Sequence, residues 1–245
     1  MKPQIRIFKD NEALSQAAAV QFVELAEAAI DQRGRFLVAL SGGGTPQRLF
    51  KLLAAPPYRD QVAWAKVHVF WGDERCVPPN DPGSNYGQAY QALLKHVSIP
   101  AENIHPVKGD LEPKAASTDY AKVLRGFAGT GNPWPRFDLI HLGMGEDGHT
   151  ASLFPGSDPQ AGADSLTLAV SGHYQGRPAQ RITLTLPVIN AARQVTFLVV
   201  GEKKAETLEK VLRGPSLPRQ FPAQRVQPEN GQLTWLVDEA AAQKL

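Results

Sequence analysis

The chain is short of cysteine, of net charge and of long apolar runs, and each shortage removes a class of protein. One cysteine, Cys76, among 245 residues cannot form an internal disulfide, which excludes a disulfide-stapled scaffold and fits a reducing compartment. Lys and Arg total 26 against 24 Asp and Glu, so the net charge is only +2 and no global field draws the chain to nucleic acid. The N-terminus, MKPQIRIFKD, has no apolar signal core, and no apolar run approaches the ~18 residues that suggest a membrane span. His68, His96, His105, His141 and His173 form no metal-ligand spacing, and with a single cysteine no zinc site is suggested. Neither a P-loop ending nor a Gly-x-Ser-x-Gly elbow is present, the latter weighing against an ordinary serine esterase at Ser152. No linker, repeat or low-complexity segment divides the chain. These absences leave a soluble cytoplasmic protein with no nucleic-acid or membrane partner as the expectation.

What is present is an alternation of strands and helices. Hydrophobic residues make up 42% and charged residues 20%, as in ordinary globular proteins, and the length suffices for a sizeable core. Apolar or alternating stretches at 5–8, 36–40, 67–71, 137–142, 166–170, 181–186, 195–200 and 233–237 read as strands. Helical spacing or composition marks 11–30, a start at Thr45-Pro46, and 85–96, 115–127 and 203–212, with a short helix after Asp238. Strands separated by helices predict an α/β layered fold with a largely parallel central sheet flanked by helices. One domain over 1–245 is expected, with a small subdomain around 150–190.

Four segments gather residues that carry chemistry. Phe137 to Pro155, FDLIHLGMGEDGHTASLFP, is an apolar run that opens into a glycine-rich turn ending at His149. Open α/β sheets place ligands at such strand mouths, and a histidine there moves protons near neutral pH. The carboxylate of Asp147 could hold the ring in one tautomer; the plainer alternative is a histidine that only bonds the loop backbone. Gly143-x-Gly145-x-x-Gly148 matches a dinucleotide fingerprint in letters, but Pro155 stops any long helix and no strand delivers a ribose-binding acid. Ser41-Gly42-Gly43-Gly44-Thr45-Pro46 lies between a strand and a helix, where backbone N–H groups and the helix end favour a phosphate, or where a tight turn simply precedes a capped helix. Asp73-Glu74-Arg75 follows the 67–71 strand, so the three side chains are expected on the same rim; arginine there either grips a phosphate or joins a surface ion pair. Lys203-Lys204 opens a helix, an electrostatically unfavourable place that a bound anion would offset.

Four motifs, LSGGGTP from Leu40, FWGDERCVP from Phe70 with SNY at Ser84–Tyr86, GMGEDGHTASLFP from Gly143 and RITLTLPVIN from Arg181, give the chain a family resemblance. VVGEKKAE from Val199 and the ending TWLVDEAAA support it. The chain resembles the compact bacterial 6-phosphogluconolactonases, which are related to the glucosamine-6-phosphate deaminases. The resemblance implies a Rossmann-like fold of deaminase/lactonase type without a cofactor. It further implies hydrolysis of a phosphosugar lactone in the oxidative pentose phosphate pathway, by a protein expected to be a monomer. By position it implies His149 as general base, with Asp73 aligned with an acid of the deaminases. It implies that Gly42, Gly43, Gly44, Thr45, Arg75, Arg181 and Lys204 hold the substrate and its phosphate, while Gly145, Asp147 and Gly148 shape the loop. Phe154 stands where the deaminase loop DGHIAFNEP has a glutamate, and Arg75 where it has an aromatic, which favours a lactonase over a deaminase. The non-enzymatic alternative is a sugar-phosphate-binding protein on the same fold.

Overall fold

The computed structural model describes residues 3–129, 131–158, 163–172 and 176–245, so His173 lies outside the described residues. In chain order the elements are β1 (Gln4–Phe8), α1 (Asn11–Arg33), β2 (Phe36–Leu40), α2 (Pro46–Leu53), α3 (Tyr58–Gln61), β3 (Val67–Trp71), β4 (Asp73–Arg75), α4 (Asn85–Ala92), α5 (Pro113–Arg125), β5 (Leu139–Leu142), β6 (Thr167–Ser171), β7 (Gln180–Leu184), α6 (Leu186–Asn190), β8 (Gln194–Val199), α7 (Ala205–Arg213), β9 (Gln232–Asp238) and α8 (Glu239–Ala242). The helix starts have local causes. Asp10 caps α1 through the Ala13 N–H at 2.9 Å, Ser84 caps α4, Asp238 caps α8, and Pro46 and Pro113 occupy the first turn of α2 and α5.

Six strands form one sheet in the order β1-β9-β8-β5-β2-β3, and every described pairing in it is parallel. Buried parallel strands are apolar on both faces, and β2 shows the division by alternation. Phe36, Val38 and Leu40 join a core with Leu14, Phe22, Leu49 and Phe50 of α1 and α2; Leu37 and Ala39 face the other way, toward Tyr120, Phe137 and Leu208. The sheet is thus the middle layer between two helical layers.

A second, three-stranded sheet runs β4-β7-β6 and is antiparallel. It shares its core with the main sheet, because Ile182 and Leu184 of β7 pack in the same cluster as Leu142 and Phe197. Its first strand is the Asp-Glu-Arg triplet, which the sequence presents as a loop. Gly72 is all that separates it from β3, and the ladder Asp73↔Thr183, Glu74↔Ile182, Arg75↔Arg181 makes it a strand. Leu186, read at the end of a strand, instead begins α6, with Pro187 in its first turn.

Candidate active site

The strand order turns at β2. The chain passes from β2 to β3 on one side, while β5 pairs with β2 on the other. A crevice opens above the carboxyl ends of strands at such a switch point. Here it is a cavity of about 250 Å³. Its floor and walls come from Ser41–Pro46 after β2, Gly143–Glu146 with His149 after β5, and Leu198–Val200 with Lys204 around the end of β8. The second sheet closes the remaining side with Asp73, Arg75 and Arg181.

Each sequence candidate has its place in this arrangement. Gly42, Gly43, Gly44, Thr45, Asp73, Arg75, Arg181, Lys204, Gly145 and His149 all line the cavity, and Asp147 and Gly148 shape the turn beneath it. Of the adjacent lysines, Lys204 is the one in the wall. The start of α2 has no side-chain cap, and Thr45 and Pro46 line the cavity with Gly42–Gly44. Glu74 departs from expectation. Alternation along β4 puts Asp73 and Arg75 on one face and sends Glu74 to the other. There its carboxyl accepts the backbone N–H groups of Arg75, Asn85 and Tyr86, each at 2.7 Å, and fastens the start of α4. Burial pushes Glu74 up to about 7, with those N–H bonds acting in the opposite direction.

The turn after β5 holds His149 firmly. Its Nδ1 lies 2.6 Å from the Asp147 Oδ1, and its backbone N–H donates to the same oxygen at 3.1 Å. Burial raises the Asp147 carboxyl, but its bonds to His149 outweigh that and hold it below the ordinary carboxylate value. Gly148 sits at φ 82°, and a Cβ there would come within 2.7 Å of Phe221. Both facts require glycine just before the histidine. Ala151, two residues on, also has positive φ, at 48°, which is strained for a side-chain-bearing residue. That bend carries Ser152 under the cavity, where its hydroxyl donates to the Asp73 Oδ2 at 2.6 Å.

Four cationic side chains, Arg75, Arg177, Arg181 and Lys204, line the cavity together with two acids, Asp73 and Glu146. Arg181 donates from Nε to the Pro178 carbonyl at 3.0 Å. Burial pulls its guanidinium below the usual range, against the pull of the Asp73 carboxylate. Such a wall suits an anionic ligand, and the imidazole–carboxylate pair suits proton transfer beside it. Arg177 and Asn85 were not singled out from the sequence. Arg177 stands in a Gly-Arg-Pro loop without periodicity, and Asn85 is hidden in the SNY motif behind the capping Ser84. Among the described residues no three His, Cys, Asp or Glu side chains are grouped as metal ligands, and no helix is long and apolar enough to cross a membrane.

Fold and site together define an open parallel α/β protein with a cationic cavity and a carboxylate-held histidine at its switch point. The chain belongs to the family described as glucosamine-6-phosphate isomerases/6-phosphogluconolactonase, whose model matches residues 9–235. It is 40% identical over 247 residues to a 6-phosphogluconolactonase of Synechocystis, covering 100% of this chain and 99% of that one. With a 6-phosphogluconolactonase of Haemophilus influenzae it shares 42% identity over 208 residues, 85% of this chain and 87% of that one. Among solved structures, the 6-phosphogluconolactonase from Trypanosoma brucei superposes with TM-score 0.87 at 28% identity, covering 100% of this chain and 99% of that chain. A monomeric glucosamine-6-phosphate deaminase superposes with TM-score 0.83 at 21% identity, over 99% of this chain and 100% of that one, a likeness of fold.

Proposed function

We propose that the chain is an enzyme that hydrolyses 6-phosphoglucono-1,5-lactone to 6-phosphogluconate. The observation that carries this reading is the Asp147-held imidazole of His149 in the wall of a cavity rich in cations, in a chain 40% identical to a 6-phosphogluconolactonase over its whole length. With Nδ1–H given to Asp147, the lone pair is on Nε2, and that nitrogen takes a proton from water as the water oxygen attacks the lactone carbonyl carbon. The carbon–ring-oxygen bond then breaks, and the proton held by His149 passes to the departing oxygen. The acid formed loses a proton to solvent. Asp147 keeps the ring in the required tautomer and stabilises the imidazolium while it exists.

The phosphate, at the far end of the substrate, occupies the cradle of Gly42–Thr45, the start of α2, Arg75 and Lys204. Holding it there aligns the carbonyl with His149, so part of the binding energy lowers the barrier through orientation. One chain supplies every group this scheme uses, which supports a single lactonase unit, with the β4-β7-β6 sheet as one wall of the site, working as a monomer.

The test is a lactone-hydrolysis assay of wild type and His149→Ala, corrected for the spontaneous rate, beside an assay for ammonia release from glucosamine 6-phosphate. Wild type accelerates lactone opening and releases no ammonia, and His149→Ala loses about 10²–10⁴ in kcat while still binding the product. A His149→Ala variant with near-wild-type kcat removes the histidine from the role of base. Ammonia release without lactone acceleration replaces the assignment altogether.

A further inference from the structure

Phe154 is absent from the cavity wall, yet it touches two residues that form it. Its ring centroid is 4.9 Å from that of His149 at an interplanar angle of 43°, and the Arg181 guanidinium carbon lies 5.3 Å from the same ring. His149 belongs to the turn after β5, whereas Arg181 belongs to β7 in the other sheet. One aromatic side chain therefore joins the two segments that meet at the site. The ring itself cannot retreat: a Cβ at Gly172, at the end of β6, would stand 2.3 Å from Cε2 and 2.4 Å from Cδ2 of Phe154.

We infer that Phe154 is a positioning residue, a rigid spacer whose ring fixes the His149 imidazole and the Arg181 guanidinium as a base and a cation aimed at the same ester group. The inference rests on the lactonase reading. It adds a division of labour: Arg75 and Lys204 hold the phosphate, and Arg181 stabilises the charge that grows on the carbonyl oxygen.

Three observations support the division. Arg181 lines the cavity, and its buried Nη2 has no hydrogen-bond partner among the described residues. Its Nε is fixed on the Pro178 carbonyl and its carbon on the ring, so the guanidinium is held before substrate arrives. An oxyanion is best stabilised by a donor that needs no reorganisation. Finally, His149 is held at Nδ1 by Asp147 and at its ring by Phe154, which removes the freedom to swing that one hydrogen bond leaves.

Two variants test the spacer from opposite sides. Phe154→Leu removes the ring and keeps an apolar side chain. Gly172→Ala leaves the ring chemistry intact and pushes it from behind. For each, and for the double variant, kcat, KM, product affinity and Tm are measured. A displacement of about 1 Å at a reacting group costs on the order of 10²-fold, so each single variant is expected to lose roughly 10–100-fold in kcat, with product affinity within about threefold of wild type. The double variant is expected to be no slower than Phe154→Leu alone, because without the ring the added methyl has nothing to push. Wild-type kcat in either single variant overturns the inference, as do losses that multiply in the double variant or that follow a fall in Tm and in product affinity together. A wild type that does not accelerate lactone opening overturns the lactonase reading and the inference with it.

Discussion

At the scale of single residues the cations of the cavity differ in their setting. Arg75 is almost wholly buried, with Nη1 bonded to the Gly83 carbonyl, whereas Lys204 stands at the N-terminus of α7 with no side-chain cap beside it. A phosphate between them would offset the unfavourable placing of a lysine at a helix start. Arg75→Ala and Lys204→Ala are each expected to weaken 6-phosphogluconate binding by about 1.5–3 kcal/mol, the scale of a charged hydrogen bond. Calorimetry checks this directly, and the loss should shrink as salt is added, because screening weakens the wild-type attraction. Affinities equal to wild type in both variants would move the phosphate elsewhere in the cavity.

Among the elements, those with a short-range signal were legible in the sequence. The runs FLVAL, VHVFW and QVTFLV are buried strands, and Asp10, Ser84 and Asp238 cap the helices that follow them. Strand β4 was not legible, because three charged residues have no tendency of their own to extend; only pairing with β7, more than a hundred residues later, makes them a strand. The same pairing decides that Glu74 turns away from the cavity. Asp73, Arg75, Arg181 and Lys204 could be assigned to the site because each follows or opens a recognisable motif, whereas Arg177 enters it by a loop path that no periodicity encodes.

The junction between α2 and α4 offers a test at this scale. A Cβ on Gly42 would fall 1.6 Å from the Asn85 Oδ1, and Asn85 begins α4 and donates to the Asp73 carbonyl at 2.8 Å. Gly42→Ala must therefore displace the Asn85 side chain from its bond to the Asp73 carbonyl, or shift the loop. It is expected to cost about 1–3 kcal/mol of stability by overpacking, seen as a lower urea midpoint with an unchanged slope. An unaltered midpoint would mean that the Asn85 side chain is not held firmly against Gly42.

For the molecule as a whole, acid sensitivity follows from histidines placed in its packing layers. His141 on β5 is fully buried against Phe22 of α1, with neither ring nitrogen hydrogen-bonded to any described residue. Burial pushes it down to about 4 from 6.5. His105, stacked on Phe70, is likewise pushed down to about 4, by burial first and then by His68. Below pH 6.5 the unfolded chain takes up protons that these two histidines refuse in the fold, so their contribution to stability is full above that value and falls as the pH drops toward 4, while Glu74, pushed up to about 7, acts in the opposite direction. His141→Leu removes one such group and is expected to reduce the loss of Tm between about pH 7.5 and about pH 5, whatever its effect at neutral pH. An identical Tm-versus-pH slope in both proteins would show that His141 is not neutral in the fold by virtue of burial.

The ladder between β4 and β7 would have a consequence for any ligand held by both of its arginines. Arg75 and Arg181 are directly opposed across two hydrogen-bonded antiparallel strands, and each is anchored by a backbone carbonyl. The separation of their Cα atoms is set by the spacing of paired strands, a length that backbone geometry fixes. If both arginines hold one ligand, as the roles proposed for them require, the cavity would carry a ruler in its wall. An insertion of one residue in β7 would not lengthen that ruler by a small step; it would turn Arg181 to the opposite face of the sheet and leave one mark where there had been two.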